Sequence, residues 1–304
     1  MKNINTPYDD VFRILLNDCT ELIIPVVNEI FGENYTGKEK ITFSPNEHFL
    51  NQQDGNTKEK ITDSCFVIQG AVCKKYHIEC QSTPDGSLLI RFFEYDSQIA
   101  LDDGEVIRHH LKVTFPHSAV LYLRHNSQTP DALTVEISTP GGSVTYEIPV
   151  LKTQKYSIEE IFEKHMLFLI PFYIFSYEKE LREYNNNAGK MRELKQRYQE
   201  IRNRLEMMCA AEEISEYTKC AIIDMSNKVV ENLTARYSNV REGVKAVMGG
   251  KVLDYEAKDI LKQGIRQGLE EGLLSLVRDG LLSVEEAARR LQMSESEFEK
   301  LLKQ

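Results

Sequence analysis

Asp63, Glu79 and Gln81 are the residues whose types and spacing could do chemistry together. The segment 62–68 reads as one β-strand and 76–81 as the next, with Gln69 and Gly70 opening the loop between them. Side chains alternate across a strand, so His77, Glu79 and Gln81 share one face while Tyr76, Ile78 and Cys80 share the other. A hard cation such as magnesium takes oxygen ligands. Carboxylates from neighbouring strands plus a backbone carbonyl hold it and leave room for water and phosphate. Asp63, Glu79 and the carbonyl of Cys80 supply such a set, and the chemistry it suits is phosphodiester hydrolysis.

These residues belong to a longer ordered pattern. The chain opens with Tyr8-Asp9-Asp10-Val11-Phe12-Arg13, continues through Asp63-Ser64-Cys65 to Tyr76-His77-Ile78-Glu79-Cys80-Gln81-Ser82, and then carries Arg91, Tyr95 and the stretch around Pro171-Phe172-Tyr173. This order resembles the PD-(D/E)XK nuclease superfamily, and within it the Rpn group of recombination-promoting nucleases and transposases. The resemblance implies an α/β fold with a restriction-endonuclease-like mixed-sheet core and an α-helical C-terminal region. It also implies a Mg2+-dependent DNA endonuclease, with Mn2+ as a substitute, linked to recombination or mobile elements.

The resemblance matches Asp63 and Glu79 to the acids of the two core strands and Asp9 to an acid of the first helix. Arg91 is matched to a cation that contacts phosphate or ties down Glu79 or Asp63. Gln81 stands where the general motif has Lys, which is this group's usual form. A neutral amide can orient a water or an oxygen by hydrogen bonds, but it does not offset negative charge on the phosphate. That departure keeps a second reading open, a catalytically silent DNA-binding or assembly protein that retains the fold.

The elements that must position these residues are legible in outline. A first helix is expected from about Pro7 to Glu29, kinked or divided at Pro25, and a second from Leu88 to Leu101 with Arg91 and Tyr95 on one face. Strands are expected at 119–123, 133–137 and 144–150, the last two joined by a turn at Pro140-Gly141-Gly142. From Ser157, which with Glu160 resembles a capping box, the chain reads as helical, interrupted at Asn185-Asn186-Asn187. Boundaries near Tyr156 and Gly249-Gly250 give three parts: a nuclease-like core (1–156), a helical extension (157–248) and a tail (249–304).

In the tail, Gly264, Gly268 and Gly272 recur at four-residue spacing, a face that permits close helix approach. Capping-box patterns at Ser283 and Ser294 then outline two short helices resembling a helix-turn-helix. The second helix carries more glutamate than lysine, which favours a protein-contact role over DNA reading.

Composition bounds the rest. The chain has 304 residues, 41% hydrophobic and 28% charged, which is ordinary globular usage. A net charge of −10 excludes a generally basic nucleic-acid coat, so DNA contact must be local. Arg108, His109, His110, Lys112, Arg124 and His125 form a local excess of potential cation. Lys190, Arg197 and Arg204 recur every seven residues, but pairing from Glu193 to Arg197 and from Glu200 to Arg204 reads as a solvated helix face. Six scattered cysteines read as core residues of a reducing compartment. The residues Met1–Asp10 contain no signal-like apolar run, and the most apolar stretch, 166–175, is far below the roughly 20 residues that span a bilayer. A cytoplasmic protein without membrane partners is expected. A homodimer is the simplest way for single-site chains to cut both DNA strands.

Overall fold

In a computed structural model of the chain, the described residues are 7–43, 47–51, 57–61, 64–83 and 86–249, together with 272–274, 276–278, 282–290, 298 and 301–302 of the tail. The sheet is organised around Cys73–Gln81 (β5), whose side chains alternate between two packed faces. Tyr76, Ile78 and Cys80 enter the main core, whereas His77 and Glu79 are buried on the other side.

Six strands form one mixed sheet. Lys40–Phe43 (β1) pairs antiparallel with Cys65–Gln69 (β4), and β4 pairs antiparallel with β5 in the register Cys65↔His77. The helix Leu88–Asp102 (α3) then carries the chain to His117–Tyr122 (β8), which runs parallel to β5 with Glu79 opposite Val120 and Gln81 opposite Tyr122. Gly142–Lys152 (β10) lies parallel to β8, and Ala132–Thr139 (β9) closes the sheet antiparallel to β10. The parallel pairing of β5 and β8 requires a crossover, which α3 supplies. Two small hairpins stand apart from this sheet: Glu47–Asn51 (β2) with Thr57–Ile61 (β3), and Glu105–Ile107 (β6) with His110–Lys112 (β7).

Helices cover the main-core face. The first expected helix is two, Pro7–Asp18 (α1) and Ile23–Phe31 (α2), separated by a 3-10 turn at Thr20–Leu22. Pro25 stands at the third position of α2, where its missing N–H belongs to the unpaired first turn. Its ring would clash with a continuous helix. Gly32 ends α2 in the left-handed conformation, with φ of 64°.

Ser157 caps Ile158–Glu163 (α4) with a complete capping box shared with Glu160. The following Leu167–Glu180, expected as α-helix, is wound as 3-10 turns around Pro171. Leu181–Asn186 (α5), Ala188–Ala210 (α6), Glu216–Leu233 (α7) and Ser238–Met248 (α8) complete this side. The core runs through all of them and through α1 and β5, so position 156 marks a change of secondary structure inside one compact unit, 1–250.

Residues 251–304 form a separate unit. Its helix Val284–Arg290 (α9) begins with Ser283 Oγ accepting from the Glu286 N–H at 3.2 Å, and Leu273, Ala287, Ala288 and Phe298 form its core. Gly264, Gly268 and Ser294 lie outside the described residues. A Cβ at Gly272 would meet no described atom within 4 Å apart from its chain neighbours and the backbone of its own helix.

Asn187 caps α6 by accepting from the N–H groups of Gly189 and Lys190 at 2.9 and 3.2 Å. Asn187→Ala is expected to lower unfolding stability by about 1 kcal/mol in urea denaturation, with an unchanged denaturant slope.

Candidate active site

Glu79 and His77 owe their position to the alternation of β5, and both are buried, at 4% and 0% exposure. Ionisable groups persist in such a place only with hydrogen-bonded partners. Helix α3 supplies one. Its buried stripe is Leu88, Phe92, Tyr95, Asp96, Ile99 and Ala100, and Asp96 is its single acid. Asp96 Oδ1 lies 2.7 Å from His77 Nδ1, and His77 Nε2 lies 3.2 Å from Glu79 Oε1. Asp96 is itself anchored twice. Its Oδ1 accepts from Ser118 Oγ of β8 at 2.7 Å, and its Oδ2 accepts from the Tyr146 hydroxyl of β10 at 3.4 Å. The rings of Phe92 and Tyr95 flank the imidazole with centroids 5.1 and 5.9 Å away.

Burial alone would depress the His77 pKa. The hydrogen bonds and charges of Asp96 and Glu79 outweigh it and push the pKa up to about 9. The ring is therefore an imidazolium at neutral pH, donating one N–H to each carboxylate. Burial, reinforced by Asp96, also pushes the Tyr146 hydroxyl up, which keeps it a donor.

The other carboxylate oxygen of Glu79 faces two further residues of the sequence pattern. Gln81 Nε2 and Arg91 Nη2 lie 3.4 and 3.8 Å from Glu79 Oε2. Asp9 stands part-buried in the first turn of α1. Arg124 ties that turn to the end of β5, donating to the Ser82 carbonyl at 2.8 Å while its guanidinium lies 5.9 Å from the Tyr8 ring centroid and 4.8 Å from that of Phe175. Glu178 holds Arg124 through two hydrogen bonds of 2.6 and 2.7 Å. The structure thus gathers Glu79, Gln81 and Arg91, and brings the helix turn bearing Asp9 to the same strand. Asp63 lies outside the described residues.

Among the described residues, no group of three or more His, Cys, Asp or Glu side chains is disposed to hold a metal ion. The Cys80 thiol points into the core, so only its backbone carbonyl is left as a donor. Both His77 nitrogens are engaged, which removes the ring as a ligand. What remains is the Glu79 carboxylate, the Gln81 amide oxygen and backbone carbonyls. Such an all-oxygen set fits a hard cation such as magnesium. A cavity of about 510 Å³ lined by Phe31, Phe115, His117, Val144 and Tyr146 contains none of Glu79, Gln81 or Arg91.

The expected cation clusters are redistributed. Arg124 leaves the local excess for its Glu178 pair, while Arg108, His109, His110 and Lys112 stay exposed in and around the β6–β7 hairpin. On α6, Lys190 pairs with Glu180 and Glu183 at 2.9 and 2.8 Å, and Arg197 reaches Glu159 at 3.0 Å and Glu200 at 3.4 Å. Arg204 lies 4.0 Å from the centroid of the Phe162 ring. The helix thus combines tertiary pairs to Glu159, Glu180 and Glu183 with the intrahelical pair of Arg197 and Glu200.

Asp96, Ser118 and Tyr146 were not singled out from the sequence. An acid on the apolar stripe of α3 is a signal for Asp96, because a buried carboxylate demands a partner. Ser118 and Tyr146 carry no comparable signal.

Because the folded His77 pKa lies above its ordinary 6.5, its contribution to stability is complete below about pH 6.5 and is lost as pH rises through about 9. Histidine ring 1H–15N spectra are expected to show His77 doubly protonated at pH 7.5 and titrating near 9, with urea stability falling across the same window. A neutral ring at pH 7.5 would contradict this geometry. Compared with protein-family models, with curated proteins and with solved structures, the chain matches none.

Proposed function

We propose that this chain is a metal-dependent DNA endonuclease that hydrolyses phosphodiester bonds. The observation that carries the reading is a buried glutamate, Glu79, held by His77 on one oxygen and flanked on the other by Gln81 and Arg91. The unit β4–β5–α3–β8, with its antiparallel hairpin, crossover helix and parallel strand, is compatible with the mixed-sheet core that the sequence resemblance implies. Asp63, which the sequence resemblance matches to the acid of the neighbouring core strand, is proposed as the second carboxylate.

Glu79, Asp63 and the Cys80 carbonyl would hold Mg2+ or Mn2+, which supplies Lewis acidity toward the phosphate and an acidified water. Gln81 would orient the attacking water by hydrogen bonding, and Arg91 would contact a phosphate oxygen. Asp9, in the first turn of α1, is proposed to complete the site. The reading includes a homodimer that cuts both strands.

A catalytically silent DNA-binding or assembly role is the second reading. It is favoured by the neutral side chain at position 81 and the net charge of −10. The two readings part on one assay. Purified protein is expected to nick supercoiled plasmid in Mg2+ or Mn2+, and EDTA or Glu79→Ala should reduce cleavage to background. Retention of DNA without cleavage at any concentration of either metal would decide for the silent protein, and cleavage undiminished in Glu79→Ala would place the activity elsewhere.

A further inference from the structure

His77, held by Asp96, meets Glu79 at Oε1, whereas Gln81 and Arg91 lie at Oε2. The hydrogen bonds of His77 and Asp96 decide how Glu79 can point. The terminal torsion of a glutamate is broad, so an unrestrained carboxylate samples many orientations. Here Oε1 is occupied by His77 Nε2, which leaves Oε2 toward Gln81 and Arg91. His77 is fixed in turn by Asp96 and flanked by two aromatic rings of α3, while Ser118 and Tyr146 hold Asp96 from β8 and β10. One carboxylate is thus positioned by α3, β8 and β10 as well as by its own strand.

We propose that Asp96 and His77 are a positioning pair that fixes the orientation of Glu79 for binding a divalent metal. The inference rests on the nuclease reading. Partners that orient a metal ligand characteristically set metal affinity, although they do not touch the metal. Asp96 acts through His77 and His77 through Glu79, so neither is a catalytic residue.

The test titrates full-length wild-type, Asp96→Asn, Ser118→Ala and Glu79→Ala proteins with Mn2+ by calorimetry and measures plasmid cleavage across Mn2+ concentrations. Asp96→Asn is expected to weaken Mn2+ binding by about 10–100-fold. It should also lower kcat at unchanged KM for DNA and regain rate at high Mn2+, a rescue that general structural damage does not show. Ser118→Ala, which keeps both the acid and the imidazole, should move the same quantities the same way by a smaller factor. It carries the test if Asp96→Asn does not fold. Wild-type Mn2+ affinity and kcat in the folded variants, or a loss that excess Mn2+ does not restore, overturns the positioning role. If wild-type and Glu79→Ala proteins bind Mn2+ alike, the metal reading of Glu79 itself fails and the positioning role falls with it, a result visible without the Asp96 and Ser118 variants.

Discussion

A charged imidazole sealed between two carboxylates beneath α3 is the constraint that the rest of this arrangement serves. Removing ions from water costs several kcal/mol each, and the attraction between them repays that cost only when the geometry is good and the remaining donors and acceptors are satisfied. His77 uses both ring nitrogens, and Asp96 accepts from three side chains. Satisfying this set fixes the rotation of α3 against the sheet. It also links β5, β8 and β10, so the helix that crosses from β5 to β8 locks the strands it connects.

The two faces of the sheet divide the work. On one, Tyr76, Ile78 and Cys80 join a continuous apolar core made with α1, α2, the 3-10 segment and α6 to α8. That core is the main source of stability, since burial of apolar area is the dominant favourable contribution to folding. On the other face the apolar cluster is small, comprising Leu88, Phe92, Val120, Tyr122 and Ile148, and the polar network lies beside it. Rigidity from the large core lets the small side carry buried charge. The proposed metal-binding edge is built on strand and helix, which hold side chains more closely than loops do.

Charge is handled by local pairing. Arg124, Lys190 and Arg197 are engaged with acids, and Arg204 packs on Phe162. On the nuclease reading, Arg91 and the exposed cations around the β6–β7 hairpin are candidates for phosphate contact.

Period-two alternation alone set Glu79 and Gln81 on one face of β5 and Cys80 on the other, because strand geometry is local. The α3 helix, the hairpin turn at Pro140, the Ser157 box and the break at Asn187 were legible for the same reason: caps, turns and periodicity act over a few residues. The 3-10 winding of Leu167–Glu180 was not, since Pro171 disfavours an α-helix without specifying its replacement. Nor were the partners of His77. Asp96, Ser118 and Tyr146 come from three elements 19 to 69 positions away in the chain, and their meeting depends on the parallel register of β5 with β8, the place of β10 beyond it and the rotation of α3. Local pattern decides which way a side chain points from its own strand. The tertiary structure alone decides what stands opposite, because burying His77 and Glu79 obliges the fold to bring partners to them.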